Sequence, residues 1–166
     1  MLSKVTARPR TLNAAVAFGL LTSVVAFSAS PVWAGECPAD QVASGALTSG
    51  KTMPVGVTDE VLSSIDLTPK GDAWKGNMLR LRKLVVQPGG VVPWHSHAER
   101  PANILVVEGS ITEYASNCKV PIEHKTGEAI AEFGEELAHW WKNNGDVPAV
   151  LYSADILPPA ADEHQM

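Results

Sequence analysis

Short runs of alternating apolar and polar residues dominate the chain between residues 77 and 157. Because the side chains of a strand alternate between its two faces, such runs predict half-buried strands. Clusters of glycine, proline, asparagine and aspartate separate the runs and predict turns. The predicted strands cover residues 78–86, 91–97, 103–107, 111–114, 129–132, 137–142 and 147–154. Many short strands without a long helical period predict an all-β sandwich or barrel.

Two segments flank this predicted barrel. Residues 35–76 are rich in turn-forming residues, and we interpret them as an N-terminal arm that packs on the barrel. Within the arm, residues 58–62 predict a short helix and residues 64–67 a short strand. Residues 158–166 begin with two prolines and are expected to form a flexible tail.

The first 34 residues have the pattern of a targeting segment. Lys4, Arg8 and Arg10 precede an apolar stretch over residues 12–27, and small residues follow it as far as Ala34. This order indicates a secretory signal peptide that is cleaved after Ala34. The alternative is an uncleaved membrane anchor, because the apolar stretch is nearly long enough to span a bilayer. Cleavage would place the mature protein in the periplasm or outside the cell.

Cleavage after Ala34 changes the length and the net charge of the protein. The chain has 166 residues, 45% of them hydrophobic, and a formal net charge of −5. Removal of 34 residues that carry three positive charges leaves 132 residues with a net charge of −8, which suffices for one domain with a packed core. This acidity disfavours nucleic acid and anionic membranes. We therefore expect a small-molecule ligand, no nucleic acid partner and, after cleavage, no membrane partner.

The sequence contains two cysteines, Cys37 and Cys118. In an oxidising compartment we expect one disulfide between them, which would hold the N-terminal arm against the barrel. Two free thiols and an intermolecular bridge are the alternatives, because the sequence does not show that the two residues meet. A bridge that closes so long a loop stabilises the fold by about 4 to 5 kcal/mol in the chain-entropy model.

Histidines supply the candidate chemistry. His95 and His97 lie two residues apart on a predicted strand, so their rings point to the same side. His139 lies on a later predicted strand, whereas His124 and His164 lack ligand spacing and are expected to be solvated. Three neutral imidazoles suit a divalent ion of iron, manganese, zinc, nickel or copper.

The spacing around the first pair resembles the first motif of the cupin superfamily. That motif consists of a glycine, five residues, His-x-His and a later glutamate and glycine. Gly89, His95, His97 and Gly109 match it.

The second cupin motif ends in a histidine and an asparagine four residues apart, which His139 and Asn143 match. Gly134 and Glu136 stand where that motif has proline and glycine. The resemblance covers residues 78–155. It implies a single jelly-roll β-barrel over residues 77–157, a metal held by the three histidines, and a homodimer.

The first motif departs from the family at one position. Ala102 stands where the family's metal-binding glutamate would lie. The resemblance therefore implies three histidines without a carboxylate, as in iron-dependent dioxygenases of the superfamily. The uncompensated charge of the ion would attract an anionic substrate. Glu99 is an additional candidate ligand, with an exposed acid at a strand end as the alternative. Four further acids are expected to form a solvated face: Glu128, Glu132, Glu135 and Glu136.

Apolar side chains are expected around the metal. Ile104 and Val106 alternate on one predicted strand, and Trp141 shares a strand face with His139, so these residues would form the pocket wall. For Trp141 the alternative is a core aromatic residue without contact to a ligand.

Three arginines are candidates for binding a substrate anion. Arg100 follows the first motif directly, with a salt bridge to a neighbouring acid as the alternative. Arg80 and Arg82 alternate on the first predicted strand, with paired surface arginines as the alternative.

Two functional classes follow. The first is an oxidoreductase of the non-haem iron dioxygenase type, in which Fe(II) and an anionic or aromatic small molecule meet in the pocket. The second is a non-catalytic module that binds or senses a small molecule or a metal. This class stays open because the predicted pocket has no obvious general acid or base. A third class is a barrel that binds no metal. It would give no reason for three histidines on matching strand faces.

Overall fold

A computed structural model of the chain describes residues 35–159. The predicted signal peptide (1–34), residues 160–166 of the predicted tail and His164 lie outside the described residues. The eight strands of the described part are β1 (Val55–Asp66), β2 (Met78–Ser96), β3 (Ala102–Glu108), β4 (Ser110–Ala115), β5 (Ile122–Lys125), β6 (Ala129–Glu132), β7 (Ala138–Lys142) and β8 (Ala149–Leu157). Two short 3₁₀ helices, Thr68–Lys70 and Asp72–Trp74, connect β1 to β2. Over residues 35–159, no helix has the length and apolar character that a membrane span requires.

The strands form one antiparallel sheet in the order β5-β4-β7-β2-β8-β3-β6, and β1 pairs with β2. Strand β2 organises the sheet, since its residues 78–86 pair with β8 and its residues 91–96 pair with β7. Buried side chains of β2, β3, β4, β7 and β8 meet in one hydrophobic cluster, so the sheet curls around its own inner face. The predicted all-β jelly-roll fold is confirmed.

The inner face of the barrel changes from apolar to polar along its length. Val86 of β2 packs in the apolar cluster together with Val106 and Ala149. Nearer the start of β2, Arg80 and Arg82 are buried on the same inner face, because they share strand parity with Val86. The interior therefore combines a packed apolar end with a region that carries buried charges.

The N-terminal part of the sheet differs from the prediction. Residues 55–66 form one continuous 12-residue strand paired with β2, so the predicted helix over 58–62 is wrong. Backbone hydrogen bonds to β2 override a weak local helix signal. The predicted strands 78–86 and 91–97 are not separated by a turn in the described chain, because β2 passes through residues 87–90 as one strand. Gly89 permits this course by adopting a φ of 76°.

Cys37 and Cys118 form an intramolecular disulfide, which confirms the predicted pairing. Backbone hydrogen bonds reinforce it, from Ala43 N to Asn117 O and from Lys119 N to Gln41 O, each 3.0 Å long. The beginning of the arm is thereby fastened to the loop between β4 and β5.

The outer face of β1, β2 and β3 exposes a group of large apolar side chains. Paired positions place Ile65 of β1 beside Leu79 of β2, and Leu81 follows two residues later on the same face. Leu105 and Val107 of β3 are also exposed, each by more than a third. We call these five residues the outer apolar face.

Candidate metal centre and pocket

The three predicted histidines converge at one point inside the barrel. His95 and His139 are directly paired across β2 and β7, which brings their side chains to the same inner face. The Nε2 atom of His139 lies 3.0 Å from Nε2 of His97 and 3.2 Å from Nε2 of His95. The ligand atoms of all three lie within 4.8 Å of one another, a spacing at which one metal ion can hold them.

The rings of His95 and His97 are oriented by backbone carbonyls. Their Nδ1 atoms lie 2.8 Å from the carbonyl oxygens of Pro93 and Arg100, respectively, and donate to them. The unprotonated Nε2 of each ring then faces the centre of the cluster. Burial lowers the pKa of His97 to about 4 and the pKa of His95 well below its ordinary value. Both rings are therefore neutral near pH 7, as metal ligands must be.

A buried carboxylate orients the third ring. The Nδ1 atom of His139 lies 2.5 Å from Oε1 of Glu113, whose Oε2 lies 2.9 Å from Nε2 of His124. Burial raises the pKa of a carboxyl group, but the hydrogen bonds from His124 and His139 outweigh burial and lower the pKa of Glu113 to about 2. Glu113 is thus an ionised acceptor that fixes the tautomer of His139. The expectation that His124 is solvated is wrong, because β5 turns this ring inward, where it stacks on Trp141.

A second buried carboxylate lies at the histidine cluster. Glu132 ends β6 with a relative exposure of 2%, so its assignment to a solvated face is wrong. Its Oε2 lies 3.1 Å from Nε2 of His97, and its Oε1 lies 3.6 Å from Nε2 of His139. Burial raises the pKa of Glu132 to about 7. For His139 burial alone would lower the pKa, but the carboxylates of Glu132 and Glu113 raise it.

The donor set fits a divalent cation. Because Nδ1 of each histidine faces an acceptor, the three Nε2 atoms converge, and the raised pKa of His139 provides at most one proton between them. Oε1 of Glu132 is buried beside them and makes no hydrogen bond within the described residues. A cation between these atoms would accept all three lone pairs and compensate the buried carboxylate.

A small pocket with a cavity volume of about 30 Å³ opens beside the histidines. Ile104, Trp141 and Arg100 line it, at the positions where the sequence analysis expects pocket residues. Val106 does not line it, because two residues further along β3 the side chain packs into the apolar cluster. Glu99 is an exposed residue of the loop after β2 and is not part of the histidine cluster, since the strand alternation that would aim it there ends at Ser96.

Two buried arginines, Arg82 and Arg100, form a second wall of the pocket, and Arg80 is buried beside Asp155, which also lines it. Arg80 donates to Asp155 at 3.0 Å and 2.6 Å, and Arg82 donates to Asp59 at 2.7 Å. Asp155 also lies 3.5 Å from Nε of Arg82 and 4.0 Å from Nε of Arg100. Burial, and then the charge of Arg82, lower the pKa of Arg100. The interpretation of Arg80 and Arg82 as surface residues is wrong, since both are buried.

Sequence reasoning missed Glu113, Glu132 and Asp155, although strand parity contains a signal for Glu113. Glu113 lies between Ile111 and Ala115 on one face of β4, and all three are buried. An acid flanked by apolar residues two positions away on a strand predicts a buried carboxylate, because one face of the strand packs inward.

Comparison with known proteins connects this geometry to a family. Residues 82–155 match the model of the cupin domain family. The auxin-binding protein ABP19b of Prunus persica is 35% identical over 83 residues, which cover 48% of this chain and 39% of the relative. The germin-like protein subfamily 2 member 1 of Arabidopsis thaliana is 34% identical over 77 residues, which cover 45% of this chain and 35% of the relative. The chain therefore spans well under half the length of these curated relatives.

A solved structure shows a similar fold. The crystal structure of a predicted oxalate decarboxylase from Thermotoga maritima superposes with a TM-score of 0.50 at 15% identity, and the match covers 70% of this chain and 97% of that protein. At such identity the likeness concerns the fold alone.

Proposed function

Because the chain belongs to the cupin superfamily, we propose that it is an exported oxidoreductase of the non-haem iron dioxygenase type, in which His95, His97 and His139 hold Fe(II). The observation that carries the proposal is the convergence of three imidazole Nε2 atoms beside a pocket. Bound iron would supply redox chemistry with dioxygen and open coordination positions.

The protein's own residues position the substrate and the ligands. Glu113 keeps the Nδ1 proton of His139 in place and thereby keeps Nε2 available as a ligand. Ile104 and Trp141 provide apolar walls that exclude water and contact an aromatic or aliphatic part of the substrate.

The proposed substrate is a small anion. Two buried arginines, Arg82 and Arg100, line the pocket and bring guanidinium groups to it. Ser153 is fully buried in the same pocket lining, and its Oγ makes no hydrogen bond within the described residues. A carboxylate group bound there would accept from the hydroxyl and lie close to guanidinium groups.

Export is part of the proposal. The basic and apolar pattern of residues 1–34 and the disulfide between Cys37 and Cys118 both support a periplasmic or secreted protein. Because of its acidic composition, the exported protein is proposed to act on small molecules without nucleic acid or membrane partners.

The deciding experiment reconstitutes the mature protein anaerobically with Fe(II) and follows dioxygen consumption. The panel contains thiols, phenols, flavonols and small carboxylates, each carboxylate compared with its amide. We expect dioxygen uptake with an anionic member of the panel and none with the matching amide, because only the anion engages the arginine wall. Zinc-loaded protein is the control. Tight zinc binding by the purified protein together with no dioxygen uptake after iron loading would rule out the oxidoreductase.

The second candidate function is a non-catalytic binding module. It is supported by the peach relative, which is named an auxin-binding protein. Calorimetric binding of benzoate without dioxygen consumption by the iron-loaded protein would favour this candidate over the enzyme.

We also propose that two copies of the chain associate through the outer apolar face. Leu81 lies near the middle of this face and is 40% exposed. Leu81→Glu is expected to convert a dimer into a monomer, because it places a charge in a buried apolar contact. Light scattering after size exclusion measures the mass, with Lys70→Glu on the exposed 3₁₀ helix as the control. A wild-type monomer would refute the proposal.

A further inference from the structure

We propose that Glu132 is a fourth protein ligand of the metal, and that β6 thereby supplies the carboxylate that Ala102 of β3 lacks. The inference rests on the proposed metal function and assigns a ligand that lies outside both sequence motifs. Three independent features of the structure support it: strand register, distances and an unpartnered oxygen.

The register places the two positions side by side. Ala102 and Glu132 are direct partners across β3 and β6, and both are buried. The Cβ atoms of such partners lie about 4.5 to 5.5 Å apart and point to the same face. A carboxylate on residue 132 therefore starts beside the place where a carboxylate on residue 102 would start, and it extends into the same part of the barrel.

Three separations, each of which involves His97 or His139, match the spacing of neighbouring ligands around one ion. Two ligands that each lie about 2.1 Å from an ion and at right angles to each other are about 3 Å apart. The separations are 3.0 Å between Nε2 of His97 and His139, 3.2 Å between Nε2 of His139 and His95, and 3.1 Å between Nε2 of His97 and Oε2 of Glu132. The carboxylate thus continues the arrangement that the histidines begin.

The second oxygen of Glu132 has no hydrogen-bond donor. Oε1 is buried and makes no hydrogen bond within residues 35–159, while it lies 3.6 Å from Nε2 of His139. A buried carboxylate oxygen without a donor is costly unless a cation compensates it. A metal between Glu132 and the histidines provides that compensation.

The inference changes the origin of the attraction for an anionic substrate. With three histidines alone, that attraction comes from a divalent charge without a carboxylate ligand. With Glu132 bound, the net charge of the ion and this ligand falls to +1. The selectivity for an anion then resides mainly in the wall formed by Arg82 and Arg100.

The test measures Mn(II) binding by the mature protein, from the electron paramagnetic resonance signal of the free ion and from the metal-induced shift in melting temperature. Glu132→Gln keeps the size of the side chain and is expected to weaken Mn(II) binding at least about tenfold. Glu132→Ala is expected to weaken it as much or more. Glu135→Gln, an exposed acid three residues away, is the matched control and should bind as wild type does.

A double variant tests whether Glu132 acts as a metal ligand. Ala102→Glu combined with Glu132→Ala returns a carboxylate from the partner strand, and we expect it to recover most of the affinity that Glu132→Ala loses. A double variant as weak as Glu132→Ala, or a Glu132→Gln variant that binds as tightly as wild type, would overturn the inference while leaving the three-histidine proposal in place. A wild-type protein that binds neither Mn(II) nor Fe(II) would instead overturn the proposed function.

Discussion

His139→Ala is expected to abolish stoichiometric metal binding and to destabilise the fold. His139 is fully buried, it offers one of the converging Nε2 atoms, and its Nδ1 is bonded to Glu113. The substitution removes a ligand and leaves the buried carboxylate of Glu113 with one of its two partners. Breaking a buried ion pair from one side costs about 3 to 5 kcal/mol. Elemental analysis measures the metal content, and urea denaturation measures the free energy of unfolding.

His97→Ala separates the two effects. His97 also contributes a converging Nε2 atom, but its Nδ1 donates to a backbone carbonyl and not to Glu113. We expect this variant to lose the metal with a smaller loss of unfolding free energy, because the Glu113 network stays intact. Unchanged metal content in both variants would show that the metal, if any, binds elsewhere in the protein.

The barrel strands were predictable where one face is apolar and the other polar. β8 shows this most clearly, since Leu151, Ser153 and Asp155 point inward and alternate with half-exposed residues. β1 was predicted only at its end, by the short strand over residues 64–67, because most of it is exposed and its stability comes from pairing with β2. β5 was missed because its four residues are charged or polar except Ile122, so their alternation resembles a turn.

The metal ligands that lie on one strand, or within one sequence motif, could be predicted from the sequence. His95 and His97 share a strand face, which the sequence displays directly. Glu132 is different, because its position opposite Ala102 depends on the pairing of β6 with β3, some thirty residues apart in sequence. Long-range register of this kind leaves no local trace, and an acid at the end of a strand is more often solvated.

The buried arginines show that the net charge of the chain does not describe the charged groups in its pocket. A sequence with a net charge of −5 predicts little attraction for anions. The structure places Arg82 and Arg100 in the pocket lining beside the histidines, together with Asp155 and Glu132, so the pocket carries guanidinium groups inside a chain that is acidic overall. The composition of a chain thus describes its surface better than its binding site.

Removal of the disulfide is expected to produce the largest loss of stability that leaves the metal ligands in place. The bridge joins residues 81 apart, for which the chain-entropy model gives about 4 to 5 kcal/mol of stabilisation, reduced where the unfolded chain retains structure. The double variant Cys37→Ser, Cys118→Ser should therefore lower the free energy of unfolding in urea by several kcal/mol. It also releases the arm from the loop between β4 and β5.

The N-terminal arm lies beside Glu113 and Glu132, which contact the histidines. Removal of the disulfide should therefore also change the affinity for the metal. Cys37 lines a cavity together with Glu113 and Glu132. Release of the arm admits water to these carboxylates, so the histidines should keep the metal but bind it more weakly than in the oxidised protein. Reductant should reproduce both effects in the wild type and have no effect on the double variant. Two free thiols in the denatured, unreduced wild type would contradict the bridge, and equal unfolding free energies with and without reductant would contradict its contribution to stability.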